Sequence, residues 1–422
     1  MISHYFKNMR LGMKFGSMAV LVAGIYTGAF GQNLWVKLSS GTKRNLSSVY
    51  FLNPSIGWVV GDSGTILKTG NSGNSWIPQS SGTTQNLSSV QFADTNNGWA
   101  VSNGGLILNT TNGGSTWTQQ SSGITEPLTS VHFTDRNHGW VSSLNDAYVL
   151  KTTNGGMTWN PQLGGSESGA TGWQSVYFAD TNNGWVVGAD NCCGIIARTI
   201  NGGVTWTEPD TTRLPIILLA STYFVNDSLG WIAGLGGILK TRNAGISWVL
   251  QDTASPSFSF HSVFFSDSSD GWTVGDSGVI LNTSNGGNTW TSQSSGTNVV
   301  LTSVFSSNGG NVYTTYVVGE NGTILENTIV TGGDPIDIDL LPLSKHLLSL
   351  HLSPTQLSFT LPNSFSNPST AAIYNLSGNR LIESPISKSN FSMHIGNLGM
   401  GKYFLEVKDA KDRIVEPFEI SQ

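Results

Sequence analysis

Short runs of alternating apolar and polar residues recur along the chain, and each run is bounded by Gly, Asn, Asp or Ser. The run NLSSVYF at residues 45–51 returns as NLSSVQF, PLTSVHF, GWQSVYF, LLASTYF, SFHSVFF and VLTSVFS, starting at residues 86, 127, 172, 218, 259 and 300. Alternation over this length predicts half-buried β-strands. A Gly-Trp pair, an ILKT-type run and a turn ending in a second Trp follow each of the first six copies. Each repeat therefore predicts four short strands.

The spacing of the repeats is that of propeller blades. The Trp residues of the Gly-Trp pairs lie at positions 58, 99, 140, 185, 231 and 272, and the seventh repeat has Tyr316 in that place. The steps between these positions are 41, 41, 45, 46, 41 and 44 residues. Four strands per unit of about 40–45 residues are the signature of a β-propeller blade. The pattern therefore predicts seven blades.

The two ends of the repeat array predict how the ring closes. The seventh repeat stops at Ile324 and Leu325 without a fourth-strand Trp, whereas residues 35–42 resemble the fourth strand of the first repeat, residues 76–83. We expect the N-terminal strand to complete the seventh blade, because closure removes the exposed edges of an open array. The predicted fold is all-β, a seven-bladed β-propeller over residues 33–330 whose last blade is closed by the N-terminal strand.

A turn rich in Asn and Gly joins the third and fourth strands of six repeats, with the motif Ser/Thr-x-Asn-x-Gly-x-Ser/Thr-Trp. Asn tolerates left-handed backbone and bonds its own following backbone, and Gly takes positive φ without steric cost. We predict a structural role for the motif, with the Trp packed between neighbouring strands. Its residues are Asn71, Gly73, Trp76, Asn112, Gly114, Trp117, Asn154, Gly156, Trp159, Asn201, Gly203, Trp206, Asn243, Gly245, Trp248, Asn285, Gly287 and Trp290.

The N-terminus has the three parts of a secretory signal peptide. Lys7, Arg10 and Lys14 precede an uncharged apolar stretch at residues 18–29, and a small-x-small sequence ends at Gly31. We predict a signal peptide over residues 1–31, the alternative being a short membrane anchor. The apolar stretch is shorter than the roughly 20 residues that span a bilayer. No later segment is long and apolar enough to span one, so we expect no transmembrane segment after cleavage.

The charge and the cysteine content of the chain argue against several classes of function. Only 11% of the residues are charged, against roughly a quarter in an average soluble protein, and the net charge is −6. A nucleic-acid binder is therefore not expected, because no basic stripe is present. The two cysteines, Cys192 and Cys193, are adjacent, which gives neither a disulfide framework nor zinc spacing. They form a vicinal disulfide or two free thiols, and we expect no metal and no cofactor.

The C-terminal part differs from the repeats. Residues 331–346 break the repeat and predict a linker. From residue 347 to 422 Trp disappears, and the alternating runs LSFTL, AAIYNL, SMHIGNL, YFLEV and FEIS predict a small β-sandwich.

Two family resemblances follow from these motifs. The turn resembles the Asp box of bacterial neuraminidases, with Asn in the Asp position. The whole repeat, over residues 33–328, resembles the propeller family typified by photosystem II assembly and stability factors. That resemblance implies that the Asp boxes lie on hairpins away from the ligand face.

Residues 373–381 and 395–407 resemble the C-terminal sorting domain of type IX secretion, through Gly378, Leu398, Gly401 and Tyr403. This resemblance implies a domain that carries the protein across an outer membrane of the Bacteroidetes type. The secretion machinery and a protein or glycan outside the cell are then the expected partners.

Catalysis has little support in the sequence. Sialidase chemistry needs a cluster of three arginines, but the propeller span has five scattered ones, including Arg198 at a strand end and Arg242 in a turn. A glycoside hydrolase needs two facing carboxylates, and no pattern selects a pair. We therefore assign no catalytic residue and predict a noncatalytic module that binds protein or glycan. A secreted glycoside hydrolase and a photosystem-assembly-factor-like chaperone of a membrane complex stay open as alternatives.

A ligand site is expected on the face opposite the Asp boxes, where the second-to-third and fourth-to-first connections emerge. Acidic residues predominate there, and insertions at residues 164–172, 190–194 and 209–215 surround blades three to five. Functional variation concentrates in such loops on a rigid scaffold. The rim hypothesis builds the site from five residues, and ordinary solvated loops are its alternative. These five are Glu167, Trp173, Asp190, Asp210 and Arg213.

Overall fold

The computed structural model describes most of the propeller and the strands of the C-terminal domain. The predicted signal peptide and linker lie outside the described residues. The described ranges are 35–164, 172–190, 193–208, 218–251, 259–309, 312–330, 350–352, 356–360, 369–375, 380–386, 390–395, 398, 401–408 and 413–420.

Seven antiparallel sheets follow one another along the repeats, one per predicted blade. The chain begins with β1 (Val36–Leu38). Blade 1 is β2 (Leu46–Phe51), β3 (Gly57–Gly61), β4 (Thr65–Thr69) and β5 (Ile77–Gln79); blade 2 is β6 (Leu87–Phe92), β7 (Gly98–Ser102), β8 (Leu106–Thr110) and β9 (Thr118–Ser121); blade 3 is β10 (Leu128–Phe133), β11 (Gly139–Ser143), β12 (Val149–Thr152) and β13 (Asn160–Leu163).

The remaining blades repeat this order. Blade 4 is β14 (Gly172–Phe178), β15 (Gly184–Ala189) and β16 (Gly194–Thr199); blade 5 is β17 (Leu218–Phe224), β18 (Gly230–Leu235), β19 (Gly237–Thr241) and β20 (Val249–Leu250); blade 6 is β21 (Phe260–Phe265), β22 (Gly271–Gly275), β23 (Ile280–Thr283) and β24 (Thr291–Gln293); blade 7 contains β25 (Leu301–Asn308), β26 (Val312–Gly319) and β27 (Thr323–Val330). Short 3₁₀ turns lie at Asp62–Gly64, Asp276–Gly278 and Glu320–Gly322.

Strand β1 completes blade 7, as predicted. It pairs antiparallel with β27, with Val36 opposite Glu326 and Leu38 opposite Ile324. The first strand of each blade contacts the first strands of both neighbouring blades, so these strands line the axis of a closed ring. Blade 4 differs from its prediction, because its described sheet has three strands and only Thr207 bridges to Arg198 in the fourth-strand position.

Serine hydroxyls join neighbouring blades near the axis. The Ser48 Oγ accepts a hydrogen bond from the Val90 N–H of the next blade, at 3.3 Å. The same bond recurs at five other junctions, and the one from the Val49 N–H to Ser303 Oγ closes the ring at 3.2 Å. At the junction of blades 3 and 4, Thr129 Oγ1 donates to the Trp173 carbonyl at 2.8 Å. The repeated SSV sequence therefore specifies contacts between blades.

The Phe and Trp positions of the repeat form the core between blades. Trp58 stacks on Phe92 of the next blade with ring centroids 3.5 Å apart, and Trp117 meets the edge of Phe92 at 5.8 Å. Blade 7 has Ser306 where the other blades have Phe, so Trp272 instead meets the edge of Trp35 at 5.4 Å. Burial of such aromatic side chains supplies much of the stability of the ring.

The C-terminal domain is a sandwich of two antiparallel sheets, in agreement with the prediction. One sheet has the order β28 (Leu350–Leu352), β29 (Gln356–Thr360) and β32 (Asn390–His394). The other has the order β31 (Arg380–Ile386), β30 (Ser369–Asn375), β33 (Gly401–Lys408) and β34 (Arg413–Ile420). Its core includes Leu357, Phe359, Ile373 and Leu405.

Candidate functional site

The loop face of the ring carries the second-to-third turns and the fourth-to-first connections. In blade 1 the Asp62–Gly64 turn holds Ser63 at φ 52° and Gly64 at φ 69°. A Cβ on Gly64 would lie 2.0 Å from the Thr83 carbonyl oxygen, so only glycine fits there. The connection after β5 therefore packs directly against this turn.

A polar surface cavity of about 630 Å³, widely open to solvent, lies beside this turn. Its lining combines Arg44 with the Ser63–Gly64 backbone and residues 79–84. The Arg44 Nη1 donates to the Ser63 carbonyl at 3.2 Å and to the Thr65 Oγ1 at 3.3 Å. The cavity thus presents a guanidinium, hydroxyls and backbone groups. The sequence analysis did not identify Arg44 as part of a site.

Several acidic side chains of the loop face are engaged in local hydrogen bonds. The Asn45 Nδ2 donates to the Asp62 carboxylate at 3.0 Å, and the Thr125 N–H donates to the Glu126 carboxylate at 3.0 Å. The His261 Nε2 lies 2.7 Å from the Asp276 Oδ1. These carboxylates help to fix the loops that carry them.

Two residues of the rim hypothesis lie among the described residues. Trp173 is 3% exposed and packs in the core with Trp140 and Phe178, so its ring does not reach the surface. Asp190 closes a turn, because its carboxylate accepts the Cys193 N–H at 2.7 Å. Glu167, Asp210, Arg213 and Cys192 lie outside the described residues, so the rim hypothesis stays a prediction.

Alignment of the repeats explains why Trp173 is buried. It occupies the place of Leu46, Leu87 and Leu128 in the other repeats, and each of these is 0–1% exposed. The blade 3 turn beside it has unusual backbone, with Asn145, Asp146 and Ala147 all at φ between 47° and 51°. Non-glycine residues rarely adopt this left-handed region, and such strain is frequent at functional loops.

Seven side chains, one from the same position of each first strand, form a layer around the axis, and most of them are aromatic. His132 and Tyr177 have ring centroids 4.6 Å apart, and Phe264 lies 4.6 Å from Tyr223 and 4.8 Å from Phe305. The full layer is Tyr50, Gln91, His132, Tyr177, Tyr223, Phe264 and Phe305.

This axial layer is uncharged at neutral pH. Burial lowers the pKa of His132 to about 4 and raises the pKa of Tyr50 and Tyr177 to about 12. The Tyr177 hydroxyl donates to the Phe224 carbonyl at 2.6 Å. The seven first strands contain no Asp or Glu. A pair of catalytic acids across the axis would therefore have to come from loops.

The opposite face, the Asp-box face, carries six turns with one hydrogen-bond pattern. In blade 1 the Thr69 Oγ1 accepts the Asn71 N–H at 3.2 Å and the Gly73 N–H at 2.9 Å. The Asn71 Oδ1 accepts the Ser75 N–H at 3.0 Å. The other five turns repeat these bonds within a few tenths of an ångström.

Five of the six Asp boxes also accept a hydrogen bond from a second-strand aromatic side chain of the preceding blade. The Trp99 Nε1 donates to the Gly155 carbonyl at 3.1 Å, and the Trp231 Nε1 donates to the Gly286 carbonyl at 3.2 Å. In blade 7 the Tyr316 hydroxyl donates to the Ser72 carbonyl at 2.9 Å, which explains how Tyr replaces Trp there. We name these bonds the latches between blades.

Lysines of the third strands also bond Asp-box carbonyls. Lys151 and Lys240 reinforce Trp latches, whereas Lys68 makes the only such bond at its junction because the Trp58 Nε1 has no hydrogen-bond partner among the described residues. The Lys68 Nζ donates to the Gly113 carbonyl at 2.8 Å and the Lys151 Nζ to the Gly202 carbonyl at 2.7 Å, while Lys240 donates to the Gly286 carbonyl. Each ammonium lies 5.3–5.4 Å from the ring centroid of a Trp in its own blade. Cation–π attraction therefore adds to these bonds.

Blade 7 has a carboxylate in the position of these lysines. Glu326 lies opposite Tyr316 in the sheet and bonds its hydroxyl, and burial raises the pKa of Glu326 to about 7. Over the described part of the chain, no group of three or more potential ligands stands close enough to hold a metal ion. No helix within that part has the length and hydrophobicity to cross a membrane.

Comparison with protein families gives one match. The family described as "Photosynthesis system II assembly factor YCF48" matches residues 28–127 and 119–254, which together exceed half of the chain. No curated protein matches the sequence.

Solved propellers of low sequence identity share the fold. YCF48 from Cyanidioschyzon merolae is 20% identical, with a TM-score of 0.59 over 69% of this chain and 98% of that chain. YCF48 bound to a D1 peptide is 18% identical, with a TM-score of 0.60 over 72% and 97% of the two chains. The GH74 xyloglucanase from Xanthomonas campestris is 12% identical, with a TM-score of 0.55 over 69% and 53%.

Proposed function

The chain belongs to the family of the photosynthesis system II assembly factor YCF48, and we propose that it is a noncatalytic propeller that binds a segment of a partner protein. The family match over the blades is the observation that carries this proposal. One similar structure is YCF48 bound to a D1 peptide, so a propeller of this kind takes a peptide ligand. The uncharged axial layer agrees with binding better than with acid–base hydrolysis, because it offers no pair of carboxylates.

The loop face is the surface we propose for this ligand. Its cavity beside Arg44 offers hydroxyls and backbone groups that can pair with the main chain of an extended peptide. The rim hypothesis names a second patch on the same face, around Asp190. The partner is a protein rather than a glycan in this proposal, and a glycan ligand is one outcome of the test.

Capture of the partner tests the binding proposal. The purified protein, with a photo-crosslinking residue in place of exposed Thr84, is incubated with extracts of the organism that makes it. Crosslinked proteins are identified by mass spectrometry, and their segments are synthesised as peptides. We expect Arg44→Ala to weaken peptide binding by about tenfold, a loss of about 1.4 kcal/mol.

Arg136→Ala is the matched control, because Arg136 is an exposed arginine on a first-to-second turn at the Asp-box face. It should leave the affinity unchanged. An effect of Asp190→Asn without an effect of Arg44→Ala would place the ligand at the rim. Recovery of glycans instead of proteins, or hydrolysis of a captured glycan, would overturn the proposal.

We infer that the protein acts outside the inner membrane. The support is the signal-peptide pattern of residues 1–31 and the likeness of residues 347–422 to type IX sorting domains. Cell fractionation with mass spectrometry of the protein ends tests this inference. Export predicts extracellular or surface protein that starts near Gln32 and lacks residues after about His346. An intact C-terminus in the periplasm would instead favour an assembly-factor role at a membrane complex.

A further inference from the structure

A cleft of about 280 Å³ lies between blades 5 and 6, on the side of the ring that carries the Asp boxes. It is separate from the loop face, where the proposed function places the peptide. The cleft is lined by Lys240, Arg242, Val249 and the side-chain amides of Asn243, Gln251 and Asn288. Two cations, three neutral amides and one apolar side chain therefore share a space that holds a small side chain.

Lys240 places a buried positive charge at the base of this cleft. The residue is 5% exposed, and its ammonium contacts the Gly286 carbonyl and the face of Trp231. No carboxylate among the described residues forms an ion pair with it. Burial of a cation without a counter-charge is unfavourable, so an anion entering the cleft would recover free energy.

Arg242 adds a second positive charge at the mouth of the cleft. It lies just after the end of the strand that carries Lys240, and both residues line the same cleft. Arg242 is exposed and forms no ion pair with any described residue. Burial, followed by the charge of Arg242, lowers the pKa of Lys240. The positive charge of each residue thus repels that of the other, and a bound carboxylate would offset this repulsion.

The equivalent positions of blades 1 and 3 lack this second charge. Lys68 and Lys151 occupy the place of Lys240 in blades 1 and 3 and make the same bond to an Asp-box carbonyl. The residues two positions further on are Gly70 and Thr153. The lysine therefore has a structural role in three blades, whereas the Lys–Arg pair is a feature of blade 5. The presence of Arg242 therefore distinguishes the binding role of blade 5 from the structural role that the lysine has in all three blades.

We propose that the cleft binds a carboxylate of a partner protein, with an apolar side chain of that partner resting on Val249. Val249 is 64% exposed, which leaves its side chain available for this contact. The volume suits one acidic side chain or a chain-terminal carboxylate, since a water occupies about 30 Å³. Charge-assisted hydrogen bonds to Lys and Arg recognise carboxylates strongly. This proposal rests on the proposed function, because it requires a protein ligand.

Labelled peptides test the chemistry directly. The full-length protein is titrated with three fluorescein-labelled peptides, and fluorescence anisotropy is measured at low salt. The first is Gly-Ser-Glu-Leu-Glu-Ser-Gly amide, the second has Gln at both Glu positions and an amide end, and the third has Gln with a free C-terminal carboxylate. We expect at least tenfold tighter binding of the first or third peptide than of the second. The tighter of the two identifies the carboxylate source.

Variants assign that binding to the cleft. Arg242→Gln should weaken binding at least tenfold without affecting the fold, because Arg242 is exposed. Lys240→Met should weaken it further, whereas Lys151→Met removes the equivalent lysine bond in blade 3 and should leave binding unchanged. Equal affinity for the Glu and Gln peptides, or no effect of Arg242→Gln, overturns the inference. Displacement by inorganic phosphate far more effective than by acetate also overturns it, since the site would then prefer a phosphoryl group.

The peptide titration and the partner-capture experiment test different surfaces, so their failures can be told apart. If the cleft does not bind the carboxylate peptides, capture of the partner through Arg44 is unaffected. If no partner is captured at the loop face but the carboxylate peptides still bind, the loop-face proposal is overturned. The cleft then remains a carboxylate site.

Discussion

Glu326 is the residue whose protonation couples the ring closure to pH. Its carboxyl bonds the Tyr316 hydroxyl, and that hydroxyl donates to the Ser72 carbonyl of blade 1. A protonated Glu326 can donate to the Tyr316 oxygen while Tyr316 keeps its bond to Ser72. An ionised Glu326 competes with Ser72 for the same phenolic proton. The protonated form therefore fits the closed ring better.

Glu326→Gln should flatten the pH dependence of stability. The pKa of Glu326 in the folded protein, about 7, lies above the ordinary carboxyl value of 4.5, so its stabilisation is complete below pH 4.5 and is lost as the pH rises through 7. The loss is on the order of 3 kcal/mol. Urea unfolding of the two proteins at pH 5, 7 and 8.5 measures it. Parallel pH profiles would show that Glu326 titrates normally in the ring.

His132 has the opposite effect at lower pH. Burial lowers its pKa to about 4, so the folded state favours the neutral imidazole, and stability falls as the pH drops from 6.5 to 4. His132→Phe should remove this loss, up to about 3 kcal/mol, because Phe264 and Phe305 already fill equivalent positions. Unfolding free energies at pH 7 and pH 4.5 test the change. A variant as acid-sensitive as the wild type would contradict it.

Each Asp box, at the scale of the element, depends on one buried threonine hydroxyl. In blade 3 the Thr152 Oγ1 accepts the N–H groups of Asn154 and Gly156, at 3.3 Å and 2.8 Å. Thr152→Val leaves both donors without this partner and should destabilise the protein by about 2–4 kcal/mol. The exposed neighbour Thr153→Val is the control and should change stability by less than about 0.5 kcal/mol. Thermal unfolding distinguishes the two, and equal shifts would contradict the assignment.

The elements also show which parts of the fold a single sequence can predict. The SVxF and Gly-Trp positions predicted the strands correctly, because their alternation and spacing encode burial locally. The latches escaped prediction, since Trp99 and Gly155 meet only when two blades pack. Trp173 was assigned to a surface site, although its alignment with Leu46 indicated the core. The cleft at Lys240 also depends on an adjacent blade, so one repeat alone does not reveal it.

Removal of β1 tests ring closure at the scale of the whole molecule. A protein that begins after residue 42 loses the pairing of Val36–Leu38 with β27 and the contact between Trp35 and Trp272. It exposes the edge of β27, and we expect a midpoint of thermal unfolding lower by more than about 10 °C, with aggregation. Truncation after residue 330 is the control, because every strand of the ring is retained. Similar losses in both proteins would show that the C-terminal domain stabilises the ring.

The pairing of Val36 with Glu326 also dictates the order of events during synthesis. These partners are separated by 290 residues, the difference between their positions. The strand that leaves the ribosome first is therefore the last to be used, and it stays unpaired until the seventh blade has emerged. Contacts of such long sequence separation form slowly. Blades 1 to 6 can collapse during translation, but the ring itself completes only after the chain has reached residue 330.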